Sequence, residues 1–127
     1  MTTDPSVKNR LLIVDDEPTN IHILSNILSS DYEIRAANNG ERAIEAALSQ
    51  SPDLILLDMI MPEINGEETF RLLNSIDPEV KVIMSSGYLQ ERNASDLLDL
   101  GILGMLQKPF RKNELALIIK GTLQPDH

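Results

Sequence analysis

Between Arg10 and Leu123, short apolar runs alternate with apolar stripes at helical spacing, and few architectures accept that alternation. Arg10-Leu-Leu-Ile-Val-Asp15 is a short run with β-branched residues, the pattern of a strand buried on both faces. Pro18 follows at a first-turn position, and Ile21, Leu24, Ile27 and Leu28 then recur at helical spacing. Tyr32 to Ala37 predicts a weaker strand, Asn38-Asn39-Gly40 a turn, and Ala43, Ile44, Ala47 and Leu48 a second helix. Asp53-Leu-Ile-Leu-Leu-Asp58 is the clearest buried strand, and after a loop from Met61 to Gly66 a helix carries Phe70, Leu72, Leu73 and Ile76. Glu79 to Met84 predicts a fourth strand. A helix through Leu97, Leu98 and Leu100 follows and stops at Gly101. Gly104 to Gln107 predicts a fifth strand, and Leu115, Ile118, Ile119 and Leu123 a last helix.

Five strands alternating with five helices predict an α/β fold: one doubly wound parallel sheet of (βα)5 type, its crossovers right-handed. With only five units, the flavodoxin-like strand order 2-1-3-4-5 is expected over a Rossmann order. The expected organisation is one domain over residues 10–123, between a polar tail at 1–9 and a short tail at 124–127.

Composition removes whole classes of function. Twenty acidic residues against eleven basic ones give a net charge of −9, the wrong sign for neutralising nucleic-acid phosphates. Aromatic residues are 3% of the chain, which leaves few platforms for base stacking. The absence of cysteine excludes disulfides, thiolate metal sites and a thiol nucleophile. No apolar run reaches the roughly 18 residues of a membrane span, and the polar segment from Met1 to Arg10 does not resemble a secretory signal, so a cytoplasmic location is expected.

In open parallel sheets, ligands sit outside the carboxyl ends of the strands. The predicted strand ends bring Asp15, Asp16 and Glu17 (strand 1), Asp58 (strand 3), Ser86 (strand 4) and Lys108 (strand 5) toward one area. Crowded carboxylates repel one another and either raise their pKa values or demand a cation. An oxygen-only set suits Mg²⁺ (or Mn²⁺), which shares its shell with waters and phosphate oxygens. Acids in place of a Gly-rich loop after strand 1 count against a dinucleotide site. Each residue also has a plain structural use: Asp-Asp as an N-cap beside a solvated acid, Ser-Ser-Gly as a turn, a lysine before proline as a surface charge. Their coincidence at four strand ends is what argues for a site.

Val14-Asp15-Asp16-Glu17-Pro18, Leu57-Asp58-Met59-Ile60-Met61-Pro62 with Asn65-Gly66, Met84-Ser85-Ser86-Gly87-Tyr88 and Gln107-Lys108-Pro109-Phe110 together resemble the receiver-domain family of two-component response regulators. The resemblance runs from about Arg10 to about Leu123 with the motifs in family order. It implies that Asp58 takes a phosphoryl group from a phosphohistidine, on a sensor histidine kinase or a histidine phosphotransfer domain. It implies that the Asp16 and Asp58 side chains and the Ile60 backbone carbonyl hold Mg²⁺, with Asp15 acting largely through a bound water. Lys108 and the Ser86 hydroxyl would bind phosphoryl oxygens, helped by backbone N–H groups near Ile60 and Gly87. The switched surface would be built by the fourth helix, fifth strand and last helix, and phosphorylation would either dimerise it or expose it to a downstream protein. No direct nucleic-acid or membrane partner is implied.

Two departures from the family pattern stand out. Met105 occupies the switch position often held by an aromatic residue, where it serves either as a repacking element or as core filler. Ile60 and Tyr88, both bulky, lie two residues beyond Asp58 and Ser86, which predicts slow self-hydrolysis of the phosphoaspartate. A phosphatase of the dehalogenase type needs a second aspartate where Ile60 stands, and a docking-only pseudo-receiver would not need the full set of acids, hydroxyl and lysine. Two contexts fit: a stand-alone regulator, as Met1 suggests, or the receiver piece of a longer chain, as wording shared with hybrid-kinase receivers suggests.

Overall fold

The computed structural model describes residues 8–58, 66–86, 99, 101–107 and 111–123. Five parallel strands form one sheet: β1 (Arg10–Val14), β2 (Glu33–Ala37), β3 (Leu54–Asp58), β4 (Val82–Ser86) and β5 (Gly104–Gln107). Their order is β2-β1-β3-β4-β5, the order expected from five βα units. Four helices lie among the described residues: α1 (Pro18–Leu28), α2 (Gly40–Ser49), α3 (Gly66–Ile76) and the C-terminal helix (Lys112–Leu123). The helix expected through Leu97, Leu98 and Leu100 falls outside the described residues, apart from a helical Asp99.

Alternation along the strands builds two cores. Leu12, Val14, Ile55, Leu57, Val82 and Met84 point to one face, where Ala43 of α2 and Phe70 and Leu73 of α3 cover them. Leu11, Ile13, Leu54, Leu56 and Ile83 point to the other face, against Leu24 and Leu28 of α1 and Leu115 and Ile119 of the C-terminal helix. A strand covered on both faces must be apolar throughout, and all five residues of β3 are buried. At the sheet edge the demand relaxes, and β2 buries only Ala37.

Local chemistry sets the element ends. Pro18 opens α1, and the Asn39 side chain caps α2 by accepting the Arg42 N–H at 2.8 Å. Glu114 reaches back to the Arg111 N–H at 2.9 Å, one half of a capping box for the C-terminal helix. Gly101 takes φ +114°, a conformation that glycine adopts freely and the residue at which a stop was predicted. At Gly104, β5 passes so close to the C-terminal helix that an added Cβ would lie 2.9 Å from Ile118 Cδ1.

Two expectations shift. Strand β4 begins at Val82 rather than Glu79, because Asp77 folds the chain into a turn: its side chain accepts the Glu79 N–H and its carbonyl the Val80 N–H, both at 3.0 Å. It ends at Ser86, the expected strand end, carried by its pairing with β3 and β5. Leu48 in α2 and Leu72 and Ile76 in α3, expected on buried stripes, are exposed, since each helix buries only a narrow stripe.

Candidate functional site

Parallel register aligns the ends of β1, β3, β4 and β5. Val14 pairs with Leu57, so Asp15 and Asp58 are the next residues on neighbouring strands; Asp58 pairs with Ser85, and Ser86 with Gln107. Two of these acids are buried, Asp15 at 2% and Asp58 at 6% exposure. A carboxylate so withdrawn from water costs free energy unless polar groups or a cation answer it.

Asp15 is tied into its own loop. Its Oδ1 accepts the Glu17 N–H at 3.0 Å and its Oδ2 accepts Asn20 Nδ2–H at 3.3 Å, while its N–H donates to the Ala37 carbonyl at 3.1 Å. The first turn of α1, the end of β1 and the end of β2 are therefore held together through one residue. Asp16 and Glu17 are exposed, and ligand oxygens of Asp15, Asp16 and Glu17 all lie within 4.8 Å of one another. At that separation like charges repel by on the order of 1 kcal/mol per pair even in water. The arrangement is a hard, oxygen-only donor set, which fits a divalent cation of the Mg²⁺ kind.

Among the sequence-predicted residues, Asp15, Asp16 and Asp58 converge at one end of the sheet. Asp58 is not a member of the three-carboxylate group, whose third member is Glu17. Asn20 is the residue that sequence reasoning missed, since it donates to Asp15 Oδ2. Glu17 was visible as the third acid of the run, whereas Asn20 carries no signal until α1 turns it back toward Asp15. Met105 is partly buried, packs against the core on the α2–α3 side and pairs in register with Met84. Ile60, Gly87, Tyr88 and Lys108 lie outside the described residues, as does the Ser86 side chain.

Residues 11–120 match the family described as the response regulator receiver domain. The chain belongs to that family. This receiver domain is 32% identical over 117 residues to the chemotaxis protein CheY of Bacillus subtilis, covering 91% of this chain and 98% of that protein. It is 34% identical over 117 residues to the regulatory protein AtoC of Escherichia coli, covering 91% of this chain but only 25% of that longer protein. Among solved structures it resembles the response regulator TrrA of Thermotoga maritima in complex with Mg(2+)-BeF, with 33% identity, a TM-score of 0.81, and coverage of 90% of this chain and 98% of that one. Receiver domains are signalling switches rather than conventional enzymes. Among the described residues, no helix of this one is long and apolar enough to cross a membrane.

Proposed function

We propose that this receiver domain accepts a phosphoryl group on Asp58 from a phosphohistidine of a sensor histidine kinase or histidine phosphotransfer domain. The observation that carries the reading is the placement of Asp58: buried, at the end of the central strand β3, one register step from Asp15 and its acidic group. In the transfer, an Asp58 carboxylate oxygen attacks phosphorus. The P–N bond breaks with its electron pair left on the imidazole, and a P–O bond makes the acyl phosphate. A bound Mg²⁺ (or Mn²⁺) supplies neutralisation of the carboxylates and of the phosphoryl oxygens, letting nucleophile and electrophile meet.

Asp16, Asp58 and the Ile60 carbonyl are the proposed cation ligands. Asp15 positions the loop and acts on the ion through water, in keeping with the two hydrogen bonds that its oxygens already accept. Lys108 and Ser86 bind phosphoryl oxygens, joined by the backbone N–H groups near Ile60 and Gly87. The phosphoryl charge then biases the surface built around β5, the C-terminal helix and the segment before Gly101, with Met105 at the switch position. Bulky Ile60 and Tyr88 slow hydrolysis of the phosphoaspartate. The protein acts in the cytoplasm on a downstream protein, without direct nucleic-acid or membrane contact.

The test is intact mass after incubation with acetyl phosphate. One added phosphoryl group that requires Mg²⁺ and disappears in Asp58→Asn is the expected result. No adduct on folded protein, from acetyl phosphate or from a phosphohistidine donor, would overturn the proposal.

A further inference from the structure

The β2 edge of the sheet carries a pattern that the phosphorylation site does not use. Glu33 donates its N–H to the Asn9 carbonyl and Ala37 accepts from the Asp15 N–H, so the backbone groups of residues 33, 35 and 37 point inward to β1. By alternation, those of Ile34 and Ala36 point to the open side, where, among the described residues, the sheet supplies no further strand. The flank is a groove of about 470 Å³ between β2 and α2, lined among others by Ile34, Arg35, Ala36, Arg42, Glu45 and Ser49. Glu33, Arg35 and Ala36 are exposed.

We infer that this edge is a docking surface for a second copy of the chain, joined β2 to β2 in antiparallel fashion about a two-fold axis at Ile34. Backbone valence and charge choose the axis. Hydrogen-bonded antiparallel pairs must match outward-pointing residues with each other, which leaves a short menu of symmetric registers. An axis at Arg35 sets guanidinium against guanidinium. An axis at Glu33 sets carboxylate against carboxylate, and one at Ala36 carries Glu33 beyond the partner strand. With the axis at Ile34, the two Ile34 residues exchange both N–H···O bonds and Glu33 faces the partner's Arg35 twice over.

Those two pairs occupy non-hydrogen-bonded positions, where opposed side chains come closest. The ion pair that Glu33 makes within its own chain, to Arg10 at 3.7 Å between exposed side chains, is weak and does not compete. On the α2 side, the groove is lined by one charge of each sign, Arg42 and Glu45. A two-fold contact of this kind closes on itself, giving a dimer and not a filament. Charged residues on an edge strand usually discourage pairing, but here their order makes one antiparallel register attractive.

The experiment is sedimentation velocity on unphosphorylated protein across a concentration series. The expected result is a monomer–dimer equilibrium in the parent chain that both Glu33→Arg and Arg35→Glu abolish. Mixing the two variants in equal amounts should restore the dimer, because the Glu33→Arg copy then offers two guanidinium groups on β2 and the Arg35→Glu copy faces them with two carboxylates. Concentration-dependent protection of the Ile34 amide from hydrogen exchange would place the contact on β2. A parent chain that stays monomeric, single variants that dimerise as the parent does, or a mixture that stays monomeric would each overturn the inference. Both side chains are exposed, so the fold tolerates the substitutions, and circular dichroism checks this directly.

Discussion

Replacing Asp16 by asparagine should stabilise the receiver domain when no divalent cation is present and weaken its response to Mg²⁺. Asp16 is exposed and shares a space within 4.8 Å with the carboxylate oxygens of Asp15 and Glu17. The substitution removes two of the three repulsive pairs. At 4.8 Å in water-like dielectric each pair is worth about 0.9 kcal/mol, and screening at physiological ionic strength cuts that roughly to half. The gain is therefore about 1 kcal/mol, or roughly 3–5 °C in melting temperature for a domain of this size. Mg²⁺ binding to the native state stabilises by RT ln(1 + [L]/Kd), so the parent chain should gain with each rise in Mg²⁺ while Asp16→Asn gains much less. Urea denaturation with EDTA and across a Mg²⁺ series measures both effects. A variant less stable than the parent in EDTA, or equal stabilisation of the two by Mg²⁺, would refute the repulsion and the ligand role together.

Leu57→Ala, at a residue with 0% exposure in the central strand, should cost about 2–5 kcal/mol, read as a fall in urea midpoint with little change in m. Gly101→Ala meets no clash, its Cβ lying 3.7 Å from Phe70 Cζ, but it forces alanine to φ +114° and should cost about 1–3 kcal/mol in the same assay. Burial raises the Tyr32 pKa, and the neighbouring Asp31 raises it further, so the folded state resists ionisation of this phenol. That contribution is intact below the unfolded value near 10 and is lost as pH climbs through the folded one, so Tyr32→Phe should flatten the decline in stability on the alkaline side. Replacing Ile60 with Asn and Tyr88 with Glu should shorten the phosphoaspartate lifetime, followed by loss of the added mass after donor removal. An unchanged lifetime would remove the steric explanation.

Much of the fold was legible because burial on two faces leaves a mark that a linear sequence can carry. Leu54 to Leu57 are apolar without interruption, and no half-exposed strand would need that. Given five such units, the strand order followed from crossover rules, and so did the meeting of Asp15 and Asp58 at one end of the sheet. The acids themselves were legible as chemistry, because no Gly-rich loop accompanied them.

The folded structure decided which side chains meet and which surfaces stay open. Only the turn of α1 brings Asn20 to Asp15, whereas Glu17 beside the two aspartates was already readable as the third acid of the run. The helical stripes of α2 and α3 overstated burial at Leu48, Leu72 and Ile76, since periodicity records which side of a helix is apolar and not how far the sheet beneath it extends. The edge position of β2 is likewise a property of the assembled sheet. Each residue of Glu33-Ile-Arg-Ala-Ala37 is ordinary alone, and the sequence cannot say which backbone groups the neighbouring strand consumes. Apolar pattern is a local quantity that the chain encodes directly, while the pairing of charges and the exposure of an edge arise only once distant segments are set side by side.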